Sequence, residues 1–108
     1  MPLATPEFIE AIVGKIRNNF SPEKIILFGS YASGRPHEDS DVDLLIVMPS
    51  QDPPLRRRIR LRRALRDPER RIPIELLALT PEEVRAARES RDPFLTGILD
   101  HGRVLYEA

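Results

Sequence analysis

The chain contains no cysteine and no tryptophan, and only two of its 17 basic residues are lysine. Without cysteine it can form neither disulfides nor thiolate metal sites. It has no apolar run long enough to span a membrane, and its N-terminus lacks the charged-then-apolar layout of a signal peptide. These absences, together with 108 residues and 41% hydrophobic content, predict one cytoplasmic globular domain over residues 1–108.

Aromatic side chains are scarce, whereas arginine is abundant and unevenly placed. Nine arginines fall between Arg56 and Arg71, where the only acids are Asp67 and Glu69, so this segment carries a charge of +7 and the rest of the chain −7. Because four Phe and two Tyr offer few rings for base stacking, we do not expect nucleic-acid binding. We expect the segment to dock an acidic partner surface or to steer a polyanionic nucleotide; a plain solvated helix face is the alternative.

Capping residues and the spacing of apolar residues predict the secondary structure. A capping Thr followed by Pro and Glu begins helices at Pro6 and Pro81. The predicted helices span residues 6–20, 30–34 (a short turn), about 55–67, 81–89 and 93–101, and the predicted strands span 24–28, 42–48, 72–79 and 104–106. The Arg-rich helix has a modest apolar stripe, formed by Leu55, Ile59, Ala64 and Leu65.

This order of elements is typical of an α/β sandwich. We expect a mixed β-sheet of three or four strands that is covered by helices on one face. The strand at 42–48 is apolar on both faces after its first residues, so it should lie in the interior of the sheet. The other face carries the carboxylates described next and should stay partly open.

Two short motifs flank the polar loop between the first two predicted strands. Gly29-Ser30 ends the first strand, and ten residues later Asp41 and Asp43 open the second. Strand side chains alternate between faces, so both carboxylates point the same way, about 6–7 Å apart along the strand. A cation relieves their mutual repulsion, and hard oxygen ligands suit Mg²⁺. The Gly-Ser turn permits close backbone approach and offers N–H donors to a phosphate.

A third carboxylate, Glu75, lies inside the apolar run of the third predicted strand. An ionised carboxylate buried in such a strand is costly unless it is paired. Two interpretations are open at this point. Glu75 forms a salt bridge with one of the many arginines, or it is the third acid of a metal site.

The succession of these motifs resembles the signature of the DNA polymerase β-like nucleotidyltransferases. The resemblance extends over roughly residues 25–79, and the small size of the chain is similar to the minimal nucleotidyltransferase (MNT) branch. It implies a nucleotidyltransferase-like fold in which ATP binds with its phosphates at Gly29 and Ser30. It also implies two Mg²⁺ ions and three residues that are both metal ligands and catalytic, namely Asp41, Asp43 and Glu75.

Two positions depart from the pattern of that family. Glu75 stands where an aspartate is typical, which keeps the charge but lengthens the side chain by one methylene. Ser33 stands where an arginine is frequent, and Arg35, two residues further on, is a candidate substitute for phosphate binding.

The resemblance also implies a protein partner, because MNT proteins commonly pair with HEPN-domain proteins in toxin–antitoxin modules. The implied reaction transfers AMP to a tyrosine of a HEPN ribonuclease toxin and neutralises it, within a homo- or hetero-oligomer. One alternative is a non-catalytic antitoxin that masks its partner by contact. Another is a small-molecule nucleotidyltransferase whose substrate domain lies on a separate subunit. The aspartate pair favours catalysis, whereas the departures at Ser33 and Glu75 favour masking.

Overall fold

The computed structural model describes residues 3–37 and 39–108, and the predicted order of elements is confirmed. Within that part of the chain no helix combines the length and the hydrophobicity needed to cross a bilayer. The helices are α1 (Pro6–Asn19), α2 (Ser30–Ser33), α3 (Pro54–Ala64), α4 (Pro81–Glu89) and α5 (Pro93–His101). The strands are β1 (Lys24–Phe28), β2 (Val42–Val47), β3 (Ile74–Leu79) and β4 (Arg103–Glu107).

The four strands form one mixed sheet in the order β3-β2-β1-β4. Strand β1 runs antiparallel to β2 and to β4, whereas β2 and β3 are parallel. Strand β2 is thus an interior strand, as its continuous apolar run predicted. Its Leu44, Leu45 and Ile46 are fully buried.

Helices α1 and α3 cover one face of the sheet and form the main hydrophobic core, in which Ile16, Leu44 and Leu61 are completely buried. The opposite face carries a smaller apolar cluster centred on Ile26 and Ile98, because α5 packs there against β1. The rest of that face remains partly open, and it includes the end of the sheet that bears the carboxylates. The α/β fold class is confirmed.

Helix α3 is rotated relative to the apolar stripe that the sequence suggested. Leu55 and Ile59 of that stripe are exposed, by 67% and 41%, whereas Leu65 is buried. The core-facing residues are Arg57, Leu61 and Leu65, spaced by four residues and thus on one side of the helix. An arginine takes a core position here because every part of its guanidinium finds a partner.

Arg57 is only 2% exposed and links three elements. Its Nη1 and Nη2 donate to the two carboxylate oxygens of Glu83, at 2.6 and 2.9 Å, in the bidentate geometry that arginine favours. Nη1 also donates to the Ala78 carbonyl at 2.8 Å and Nε to the Asp52 carbonyl at 3.0 Å. The hydrogen bond to Glu83 raises the pKa of Arg57, so the buried guanidinium stays charged. This pair ties α3 to α4.

Candidate active site

A row of three side chains crosses the sheet at its open end. Asp43 on β2 lies opposite Phe28 of the antiparallel β1 and beside Glu75 of the parallel β3. Residues in register share a face of the sheet, and facing residues of an antiparallel pair have Cβ atoms about 4.5–5.5 Å apart. Asp41 precedes the strand by one residue, and the intervening Val42 is fully buried on the opposite face. The fold therefore brings Asp41, Asp43 and Glu75 to one end of one face.

The electrostatics of Asp43 reflect this crowding. Burial raises the pKa of its carboxyl group, and the nearby carboxylates of Asp41 and Glu75 raise it further. Each of these causes disfavours the ionised form, and a bound cation would oppose all of them. Asp43 is thus a carboxylate whose surroundings favour either a proton or a metal ion.

The Asp43 carboxylate also restricts position 29 to glycine. Its φ of 75° and ψ of −154° lie in a region that is essentially restricted to glycine. A Cβ atom built on Gly29 would overlap Oδ2 of Asp43. The Asp43 side chain thus lies directly against the Gly29 backbone, where β1 passes into α2. Sequence reasoning expected close approach at Gly29 by a phosphate, and the structure shows a close approach by the Asp43 carboxylate on the side where a Cβ atom would lie.

Ser30 is the first residue of α2, whose backbone closes tightly over one turn. The Ser33 N–H donates to the Gly29 carbonyl at 3.1 Å, and the Arg35 N–H donates to the Ser30 carbonyl at 3.0 Å. The first N–H groups of a helix have no partner within the helix, so they are available to an anion. The Ser33 hydroxyl instead donates to the Ser30 carbonyl at 3.0 Å, and both Ser33 and Arg35 are exposed.

The loop before Asp41 is held by a residue that sequence reasoning missed. Ser40 is buried; its hydroxyl accepts from the His37 N–H at 2.9 Å, and its own N–H donates to the His37 carbonyl at 2.9 Å. On the far side of Asp41, the Val42 N–H donates to the Pro73 carbonyl at 3.0 Å. Asp41 is therefore held from both sides. The only sequence signal for Ser40 is a small hydroxyl residue immediately before the first aspartate.

Glu75 is not buried, so the expectation that its charge carries a large burial cost is wrong. Its side chain is 51% exposed because it lies on the open end of its sheet face, whereas Ile74 and Leu76 on the other face of β3 are buried, and it pairs with Arg62 of α3 at 3.3 Å. Arg62 itself is 45% exposed and also lies 3.5 Å from the Ile74 carbonyl. The salt-bridge interpretation thus agrees with the contacts of Glu75, but the pair is half exposed and therefore carries no large burial cost.

The chemistry of the donor set fits Mg²⁺, which favours carboxylate oxygens. Among the described residues, however, no three His, Cys, Asp or Glu side chains converge closely enough to hold a metal ion. Asp41 and Asp43 could hold a metal ion without rearrangement of Glu75. Glu75 must leave Arg62 to join them, and a half-exposed ion pair opposes that movement only weakly.

A family model described as the nucleotidyltransferase domain matches residues 9–98. That match includes the sheet from β1 to β3 and all the carboxylates of the open end. The chain belongs to this family of nucleotidyltransferase domains.

One curated relative comes from Methanocaldococcus jannaschii and carries the name "Putative protein adenylyltransferase". It is 52% identical to this chain over 44 residues. The aligned segment covers 41% of this chain and 42% of the relative, so the chain matches less than half of that protein's length.

Proposed function

We propose that the protein is a Mg²⁺-dependent nucleotidyltransferase that transfers AMP from ATP to a hydroxyl group of a partner protein. The observation that carries this proposal is the packing of Asp43 against Gly29 at the end of the sheet. It places the turn suited to phosphate beside the carboxylates suited to a cation, within a chain of the nucleotidyltransferase domain family. The name of the archaeal relative supports a protein as the acceptor.

Each side chain of the site has a role in this reaction. The N–H groups at the start of α2, from Ser30 onward, bind the triphosphate, and Gly29 leaves its backbone accessible. Asp41 and Asp43 would hold Mg²⁺, with Glu75 as a third ligand for a second ion. When bound, two such ions stabilise the attacking and leaving oxygens of an in-line displacement.

The reaction forms one bond and breaks another. The acceptor hydroxyl oxygen bonds to the α-phosphorus of ATP, while the bond from that phosphorus to the bridging oxygen breaks and pyrophosphate leaves. Glu75, half exposed beside Asp43, would bind the second ion in its main role and would help to accept the hydroxyl proton.

The outer surface of α3 supports a protein partner. Leu55, Ile59 and Arg63 follow one another at four-residue spacing on the exposed side of the helix, and Arg56 flanks them. We call these four residues the α3 surface. Apolar side chains bordered by arginine suit a partner whose surface is apolar and acidic. We propose that this partner is a HEPN-domain toxin, neutralised by AMP transfer to one of its tyrosines.

Masking without catalysis is the second candidate function. The pairing of Glu75 with Arg62 and the serine at position 33 are the observations that favour it. In that case the α3 surface would hold the partner, and the carboxylates would have no part in its neutralisation.

An assay with α-labelled ATP, Mg²⁺ and the protein encoded by the neighbouring reading frame tests the proposal. We expect label on the partner with wild-type protein and none with the Asp41→Asn/Asp43→Asn double variant. Asp39→Asn is the matched control, because it removes an exposed carboxylate from the same loop and should leave transfer unchanged. A tight complex that never carries label would establish masking instead. Full transfer by the folded double variant would refute the assignment of the two aspartates.

A further inference from the structure

A cleft of about 450 Å³ lies between α2 and α5, above the end of β1. Its volume is within the range of small-molecule sites. Its lining is mainly apolar and includes Phe28, Ala32, Phe94 and Ile98. Among the described residues that line it, none carries a carboxylate, so the cleft does not repel an anionic ligand.

The cleft adjoins the carboxylate site through two residues. Gly29 lines the cleft and also touches Asp43, and Phe28 is the direct cross-strand neighbour of Asp43. A ligand whose anionic part lies at Gly29 can therefore reach the cleft without crossing another element. The cavity lined by Lys24, Val47 and Glu107 lies at the opposite end of the strands, and the one lined by Leu27, Tyr31 and Arg103 lies beside α1.

Phe94 gives the cleft an aromatic wall. Its ring packs edge-to-face on Phe28, with centroids 6.1 Å apart and ring planes at 84°, yet 58% of the residue is exposed. An exposed aromatic residue beside an apolar cleft is costly in water and suits a flat ligand. His101 and Ser33 are the polar side chains at the lining, and each can hydrogen-bond the edge of such a ligand.

We propose that this cleft binds the base of the nucleoside triphosphate, with the ring of Phe94 as the stacking surface. The inference rests on the function proposed above and adds the subsite for the base. A base is planar, with apolar faces and a polar edge, which matches a mainly apolar cleft with few polar groups better than a phosphate or a peptide does. The triphosphate then extends from the cleft over Gly29 toward Asp43.

Substitutions at two glycines test this proposal. Gly97 lies in α5 and lines the cleft, whereas Gly14 lies in α1 and lines a cavity on the far side of the molecule. A Cβ atom at either position meets no atom beyond the local helix backbone within 4 Å, so a side chain can leave the backbone at both positions without a clash at its first carbon. Gly97→Leu fills the proposed base subsite, and Gly14→Leu is its matched control.

The experiment measures the dissociation constants of ATP and of inorganic tripolyphosphate, each with Mg²⁺, by calorimetry. We expect Phe94→Ala to weaken ATP binding by about 5- to 150-fold, the range given by loss of one base–aromatic stack, and Gly97→Leu to weaken it too by filling the cleft. Tripolyphosphate binding should be unchanged, because it has no base. Gly14→Leu should leave both constants at the wild-type value, and Phe94→Tyr should retain ATP binding.

Unchanged ATP affinity in Phe94→Ala and Gly97→Leu would overturn the base subsite while leaving the proposed transfer reaction intact. Equal weakening of ATP and tripolyphosphate would also overturn it, since the loss would then lie at the phosphates. If these variants weakened only the complex with a protein partner, the cleft would be part of an interface instead. Conversely, base-dependent ATP binding without any AMP transfer would support the cleft and refute the proposed reaction.

Discussion

The carboxylate of Asp43 lies against the Cα atom of Gly29, so that a methyl group at position 29 would occupy the place of a carboxylate oxygen. This contact joins two sequence motifs that are separated by ten residues along the chain. Position 29 requires glycine for two reasons: its φ is positive, and the side chain of Asp43 lies where a Cβ atom would be. The contact therefore fixes both the position of Asp43, a candidate metal ligand, and the backbone conformation of the Gly29-Ser30 turn, a candidate phosphate site.

Replacing Gly29 should disturb the site more than the fold. We expect Gly29→Ala to reduce the free energy of unfolding by about 1–3 kcal/mol from backbone strain, and to abolish AMP transfer because Asp43 is displaced. Gly34→Ala is the matched control: Gly34 also has a positive φ, 78°, but a Cβ atom there meets no other atom within 4 Å. It should cost about 1–2 kcal/mol and spare transfer. Loss of transfer in both variants would show that the contact with Asp43 is not the cause.

The pair formed by Arg62 and Glu75 should affect activity more than stability. Because both side chains are about half exposed, the ion pair contributes at most about 1 kcal/mol to folding. We expect Glu75→Gln to lower the transfer rate strongly with little change in melting temperature. Arg62→Gln releases Glu75, so it should lower the Mg²⁺ concentration that gives half-maximal rate.

The control for this prediction is a second pair of similar exposure. Arg88 and Asp100 lie 3.0 Å apart, with half-exposed side chains, on α4 and α5. Arg88→Gln should change neither the rate nor the Mg²⁺ requirement. A Glu75→Gln variant that transfers AMP at the wild-type rate would leave Glu75 as a surface ion-pair partner only.

The pair formed by Arg57 and Glu83 should dominate stability instead. Glu83→Gln leaves a buried guanidinium without its counter-charge, for which we expect a loss of about 3–5 kcal/mol in the free energy of unfolding. Arg57→Met should cost less, since Glu83 is partly exposed and still accepts the Thr80 N–H in the capping box of α4. The neighbouring Glu82→Gln, on an exposed side chain, should be nearly neutral.

This pair also predicts the pH dependence of stability in acid. The hydrogen bond from Arg57 lowers the pKa of Glu83, and burial opposes it more weakly. The folded state therefore binds fewer protons than the unfolded state over the interval between the two pKa values. The contribution of the pair is complete above the unfolded pKa of Glu83 and is lost as the pH falls through the folded one. Urea unfolding across this interval should show a shallower pH dependence in Glu83→Gln than in wild type; equal slopes would contradict the assignment.

The α3 surface should control association with an acidic partner. Arg56→Gln/Arg63→Gln should slow association and flatten its dependence on salt, while Leu55→Ser/Ile59→Ser should mainly accelerate dissociation.

Arg57 must be retained in these variants because it is buried. Arg85→Gln/Arg103→Gln removes two exposed arginines from other elements and should have a smaller effect. Stopped-flow and surface-plasmon measurements check both rates. A raised dissociation constant for ATP with unchanged partner association would instead place the arginines at the triphosphate.

Much of the local structure was readable from the sequence. The bounds of β1 and α4 agree with those predicted, because each is set by signals within a few residues: an apolar run ending in Gly-Ser, and a Thr-Pro-Glu-Glu capping box. The shared face of Asp41 and Asp43 was likewise predictable, since the alternation of strand side chains depends on backbone geometry alone.

Tertiary structure decided how these elements meet. The amphipathic pattern of α3 is misleading because its core position is taken by Arg57, whose partners Ala78 and Glu83 lie 21 and 26 residues away along the chain. The same holds for Glu75, whose exposure depends on which end and which face of the sheet the helices leave open. The contact of Asp43 with Gly29 and the cleft beside Phe94 also depend on the tertiary structure. The sequence determined which side chains are candidates for the chemistry, because strand period and turn residues act locally. Only the fold determined which of them are neighbours, because strand order and helix rotation are settled by long-range burial and by the pairing of charges.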